Sequence, residues 1–182
     1  MFKTFNLNKV YQFLLILLAF LLPLTVYGAN LIIVIIVLIW LLSGDYASKF
    51  RRTINNKLLQ ASIVFFFLHL VGLLWTEDFS WGLHIVHKMW YFLLFFPILF
   101  NIVQKKYTKY YITSFLLAIS ITEIFSYLIW FQVIPPFGSA EVFNPTPFMS
   151  HISYNPILAF AIYLVYHEVL FNNKLTQLKF FF

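Results

Sequence analysis

Six stretches of this chain are long, apolar and almost free of charge, and they decide what it can fold into. They cover residues 10–27, 30–42, 58–75, 81–103, 110–131 and 155–171, and include runs such as LLILLAFLLPL and LIIVIIVLIWLL. A helix that crosses a bilayer needs about 20 mostly apolar residues, and all but the second stretch approach that length. Membrane-spanning strands would alternate polar and apolar residues, and these runs do not. Twelve Lys and Arg with six Asp and Glu cannot wet the surface of a soluble domain of 182 residues. Disorder is excluded because 62% of the residues are apolar. The expected fold class is therefore an all-α integral membrane protein, one transmembrane domain over residues 1–182 with six spans and short loops. Cysteine is absent, which removes disulfides, thiolate metal ligands and cysteine nucleophiles.

The basic residues orient the spans. Lys3 and Lys9 precede the first stretch. Lys49, Arg51, Arg52 and Lys57 fall in the second connection, Lys105, Lys106 and Lys109 in the fourth, and Lys174 and Lys179 in the tail. All of these sit on alternate connections, whereas the opposite ones carry only Glu77, Asp78 and Glu141. Cytoplasmic loops retain Lys and Arg, so both termini are expected in the cytoplasm. Trp40, Trp75, Trp81 and Trp130 stand at span ends, where indoles favour the membrane interface. Residues 1–29 also have the outline of a signal peptide, with small Val26 and Gly28 before a cut, although the long apolar run and Pro23 favour a retained span.

One basic residue, Lys88, lies inside a span, seven residues past Trp81 and so about 10 Å below the outer interface. Glu123 stands seven residues before Trp130, and His69 six before Trp75, which predicts a shared intramembrane polar layer. Helical spacing puts His84 and Tyr91 near Lys88, and Ser120, Ser126 and Tyr127 near Glu123. A buried cation is costly and is usually paired or functional. The ordinary readings are that Lys88 snorkels to the headgroups or pairs with Glu123, and that His69 is a satisfied bundle histidine. His84 and His87 lack a carboxylate or third ligand, so no metal is expected. The segment 132–154, rich in proline and aromatic residues and including His151, is either an interfacial loop or one wall of a lipid-substrate cleft. No soluble-enzyme motif appears, and the basic loops are ordinary topology signals, so no nucleic-acid partner is expected.

Three stretches carry a family resemblance: LLPLTVYGANLIIVIIVLIWLLSGDYASKF, GLLWTEDFSWGLHIVHKMWYFLLFFPILF and NPTPFMSHISYNPILAFAIYL. Together they resemble the N-terminal half of bacterial O-antigen ligases and O-antigen polymerases. The resemblance implies a multi-pass protein of the bacterial inner membrane. It implies a metal-independent glycosyltransferase that needs no cofactor and moves glycan from undecaprenyl diphosphate to lipid A-core, or extends it, on the periplasmic face. Lys88 matches the intramembrane lysine that the family places near the lipid diphosphate, with His84 and Tyr91 beside it. The family carries essential Arg and His residues in a second half, whereas Arg51 and Arg52 are the only arginines here and fall on the cytoplasmic side. The expectation is thus a truncated or fragmentary member, inactive alone. A small accessory or scaffold protein of envelope assembly and a small ion-coupled transporter are the alternatives.

Overall fold

The computed structural model describes residues 7–141 and 143–171. Lys3, Lys174 and Lys179 lie outside them. The described fold is all helical: α1 (Leu7–Leu21), α2 (Val26–Leu42), α3 (Tyr46–Ile54), α4 (Lys57–Gly72), α5 (Phe79–Lys88), α6 (Phe96–Ile102), α7 (Thr108–Trp130) and α8 (His151–Phe171). A 3₁₀ turn, Leu73–Trp75, prolongs α4, and a π segment, Tyr91–Phe95, lies between α5 and α6. Four stretches are long and apolar enough to cross a membrane: Lys57–Trp75, Phe79–Ile102, Lys105–Trp130 and His151–Phe171. A fifth is added if α2 and α3, bent by 115°, are one span. The 15 residues of α1 reach about 22 Å at 1.5 Å per residue, short of a core about 30 Å thick.

Two boundaries differ from the sequence expectation. The first hairpin was expected to turn at Gly28 and Ala29, but it turns at Leu22–Thr25. Pro23 has no N–H to give and its ring crowds the preceding turn, so α1 stops there. Gly28 is instead inside α2, where its N–H donates to Thr25 Oγ1 at 3.2 Å. A Cβ on Gly28 would meet Thr25 Cγ2 at 2.6 Å, so the glycine leaves room for its own helix cap. The second difference is α3, which occupies what was expected to be a plain connection. Tyr46, Phe50 and Ile54 recur every fourth residue among three cations, a short amphipathic pattern that a search for long apolar runs passes over.

The chain divides into two compact units, and α1 and α2 each contribute to both. The first unit takes the chain up to Gln12 together with Ile33–Gln104. In it, Gly44 (φ 66°) and Asp45 (φ 53°) turn the chain from α2 into α3 through two consecutive left-handed residues. Lys49 fastens that corner. Its ammonium donates to Trp40 O at 2.9 Å and Ser43 Oγ at 2.7 Å, and lies 4.4 Å from the Trp40 ring centroid. A cation at the carbonyl end of α2 also complements the helix dipole. Asn56 caps α4 by accepting from the N–H groups of Leu58 and Leu59, and Asp78 caps α5 by accepting from Trp81 N–H.

The π segment follows from Pro97. The Phe96 N–H donates to Tyr91 O, five residues back. The Phe92 carbonyl would then need the N–H of residue 97, which proline lacks. Ser62 of α4 supplies the missing donor, its buried hydroxyl reaching Phe92 O at 2.6 Å. At the end of α6, buried Gln12 donates to the otherwise unserved Ile102 O at 2.9 Å. Such substitutions matter in hydrocarbon, where no water can serve a freed carbonyl.

The second unit takes Phe13–Ile32 and the described chain from Lys105 onward. Its core gathers Phe115 and Ile119 of α7 with Met149, Tyr154 and Ala161, against which Ala19 and Leu158 pack. Ser114 Oγ donates to Ile16 O at 3.0 Å, tying α7 to α1.

Candidate functional site: a polar cleft at the ends of α7 and α8

The second unit has a cleft of about 230 Å³ where polar groups converge on an otherwise apolar helix pair. From α7 come Glu123, Ser126, Tyr127 and Trp130, which the helical period sets on neighbouring turns of one side. From α8 come Tyr154, Asn155 and Leu158. Pro145 and Thr146 close it from the connecting segment.

Tyr154 is the anchor. Its ring is buried in the core, and its hydroxyl donates to Glu123 Oε1 at 2.7 Å. A half-buried carboxylate is thereby held in one orientation by a charge-assisted hydrogen bond. Ser126, one turn further along α7, is buried, and its Oγ has no hydrogen-bond partner among the described residues. The cleft thus offers an oriented acceptor, an unused hydroxyl and the Asn155 amide beside two exposed aromatic rings, Tyr127 and Trp130. That combination suits a ligand with hydroxyls on its edges and C–H groups on its faces.

The connecting segment is folded onto α7. Phe137 and Phe148 meet Phe125 edge-on at 5.8 Å each, and each other at 6.0 Å, forming a three-ring clasp. Ser139 N–H donates to Pro147 O at 2.9 Å. Gly138 precedes it with φ 62°, and a Cβ there would stand 2.3 Å from that same oxygen, so only glycine fits. Asn144 pairs with Glu141 through the backbone, receives Thr146 Oγ1 at 3.2 Å and lies 2.7 Å from His151 Nδ1. Pro145 and Thr146 of this segment line the cleft, whereas His151 meets Asn144 within the segment itself.

The other expected site residues lie in the first unit. Lys88 is exposed, closes α5 and makes no hydrogen bond or ion pair among the described residues. His84 is exposed one turn earlier, its ring 5.4 Å from Trp81. The regular helix breaks at Met89, and Tyr91 opens the π segment, its ring stacked on Trp90 at 4.3 Å. His69 Nδ1 lies 2.9 Å from Phe65 O, and its ring meets Phe65 edge-on at 4.6 Å, the environment of a histidine satisfied by its own helix. Lys88 and His69 thus belong to one unit and Glu123 to the other, and the partner observed for Glu123 is Tyr154. Among the described residues, no three His, Cys, Asp or Glu side chains gather to hold a metal.

Sequence reasoning missed Tyr154. With the last span begun at residue 155, this tyrosine fell in the loop. Beginning the helix at His151 puts it in the first turn, opposite Glu123. No protein-family model, no curated protein and no solved structure matches the chain.

Proposed function

We propose that this chain is a multi-pass protein of the bacterial inner membrane, of the O-antigen ligase and polymerase kind, that binds undecaprenyl-diphosphate-linked glycan at the periplasmic face. The observation that carries the reading is the Glu123–Tyr154 pair with the unpartnered Ser126 hydroxyl beside Tyr127 and Trp130. A sugar offers hydroxyl donors to a fixed carboxylate and apolar ring faces to aromatic side chains. Separately, in the first unit, the family resemblance implies that Lys88, with His84 and Tyr91 near it in sequence, binds a lipid diphosphate, and an ammonium that makes no hydrogen bond or ion pair among the described residues suits phosphate oxygens. Lipid A-core is the acceptor that the family resemblance implies.

The test is native mass spectrometry of the purified chain in detergent, with undecaprenyl-diphosphate oligosaccharide and undecaprenyl diphosphate as competing ligands. The glycan-bearing lipid should be retained preferentially, and Glu123→Gln should lose that preference. Lys88→Ala should weaken both lipids, and Lys88→Arg should weaken them less. Equal retention of the two lipids by the unaltered chain would refute the glycan assignment.

An ion-coupled transporter is the competing reading, and the interrupted stretch Phe79–Ile102 favours it, because transporters often break a span at the site. Proton flux into vesicles that depends on Lys88 and Glu123 would favour it over the glycan reading.

A further inference from the structure

We propose that the cleft between α3, the start of α4 and the end of α6 is an anion site for a phosphate group that carries free hydroxyls, of the phosphoglycerol kind, presented by a bilayer lipid or a soluble ester. The cleft measures about 570 Å³ and lies wholly within the first unit. Ser48, Arg51, Arg52 and Asn55 recur at three- and four-residue steps along one face of α3 and line it, with Asn101 of α6 opposite.

Three observations set the ligand's chemistry. First, Arg51 and Arg52 are exposed, and neither makes an ion pair or hydrogen bond among the described residues. No carboxylate lines this cleft. Lys49, the next cation along α3, is by contrast committed to Trp40 and Ser43. Two adjacent free guanidinium forks match the oxygens of a phosphate. Second, Asn101 spends its amide N–H groups on Pro97 O at 2.9 Å and Thr53 Oγ1 at 3.4 Å, while its Oδ1 is buried with no partner among the described residues. An orphaned acceptor beside an anion site calls for a ligand that brings a donor as well as negative charge, which a hydroxylated phosphate ester does and a bare phosphate diester without hydroxyls does not.

Third, the ends of two stretches long and apolar enough to span a membrane meet at the site, which is where headgroups would lie. The spanning stretch Lys57–Trp75 begins and Phe79–Ile102 ends beside it. α3 leaves the axis of apolar α2 at 115°. Its other face exposes Phe50 and Ile54 at 67% and 45%, beside Tyr46, whose ring packs edge-on against Trp40. A short basic helix with such an apolar face lies in the membrane interface, where anionic lipids gather. This inference is independent of the glycan reading, since it uses other residues in another unit.

The test uses the full chain in nanodiscs of phosphatidylcholine with equal small fractions of phosphatidylglycerol and phosphatidic acid, followed by native mass spectrometry of the lipids retained. Phosphatidylglycerol should be enriched over both. Arg51→Gln with Arg52→Gln should cut that enrichment by roughly tenfold, since the charge-assisted hydrogen bonds to the phosphate inside the cleft are lost. Arg51→Lys with Arg52→Lys keeps the charge and should keep part of the enrichment, which controls for folding. Lys105→Gln with Lys106→Gln, outside the cleft, should leave it unchanged. In a second arm, glycerol phosphate and inorganic phosphate are added at constant ionic strength, and thermal stability is read. Stabilisation by glycerol phosphate without phosphatidylglycerol enrichment supports the site with a soluble source. Equal retention of phosphatidic acid and phosphatidylglycerol together with no stabilisation by glycerol phosphate beyond that given by inorganic phosphate, or retention and stability indifferent to the paired Gln substitutions, would overturn it.

Discussion

Single residues here carry duties that proline and glycine create. Pro97 removes the donor that the Phe92 carbonyl needs, and Ser62 replaces it at 2.6 Å. Ser62→Ala should therefore lower stability by about 1–3 kcal/mol, the cost of a buried polar group left without its partner. Thermal unfolding in detergent should register the loss, and Ser62→Thr should recover most of it. Gly138 faces the opposite constraint, with a positive φ and Pro147 O at 2.3 Å from any added Cβ. Gly138→Ala should cost about 1–3 kcal/mol of local strain and release the segment that ends at Thr146. Faster hydrogen exchange at the Ser139 amide, which Pro147 O now accepts, is the expected signature.

At the scale of the element, the lesson lies in what interrupts a helix. Long apolar runs were readable as helices, because only helices and closed barrels satisfy a backbone in hydrocarbon and these runs lack a barrel strand's alternation. Four of the six expected spans return as long apolar helical stretches, while α1 is shorter and α2 continues into a bent partner. The turn of the first hairpin was expected at Gly28 and Ala29 and lies earlier: Pro23 ends α1 because it cannot donate, while Gly28 is tolerated inside α2 at the cost of some propensity. Thr25 supplies the cap, so Thr25→Ala should destabilise the start of α2 by about 1 kcal/mol, measured as a lowered unfolding midpoint with unchanged helix content at low temperature. The amphipathic α3 left only a nine-residue trace, too short to stand out beside spans. Of the cleft, Glu123, Ser126 and Tyr127 were legible as polar residues sharing a side of one helix. Tyr154 was not, because its pairing with Glu123 spans 31 residues of sequence and depends on where α8 begins.

At the scale of the whole molecule, the one-sided distribution of Lys and Arg predicts a topology that biochemistry can read. Reporter fusions at Lys57 and Lys109 should report the cytoplasm, and fusions at Asp78 and Gly138 the periplasm, as expected from the one-sided Lys and Arg. A periplasmic signal at Lys109 would reverse the side on which the Glu123 cleft opens, and with it the proposed access to glycan. The central claim is that this cleft receives the sugar of a polyprenyl-linked glycan. The most direct measurement is photocrosslinking in native membranes, with a photoreactive group on the first sugar of an undecaprenyl-diphosphate oligosaccharide and the adducts mapped by peptide sequencing. The account predicts label on α7 between Glu123 and Trp130 and on the stretch from Pro145 to Leu158, reduced severalfold by Tyr154→Phe and Glu123→Gln. Label confined to other helices, or label in the cleft that both substitutions leave unchanged, would contradict it.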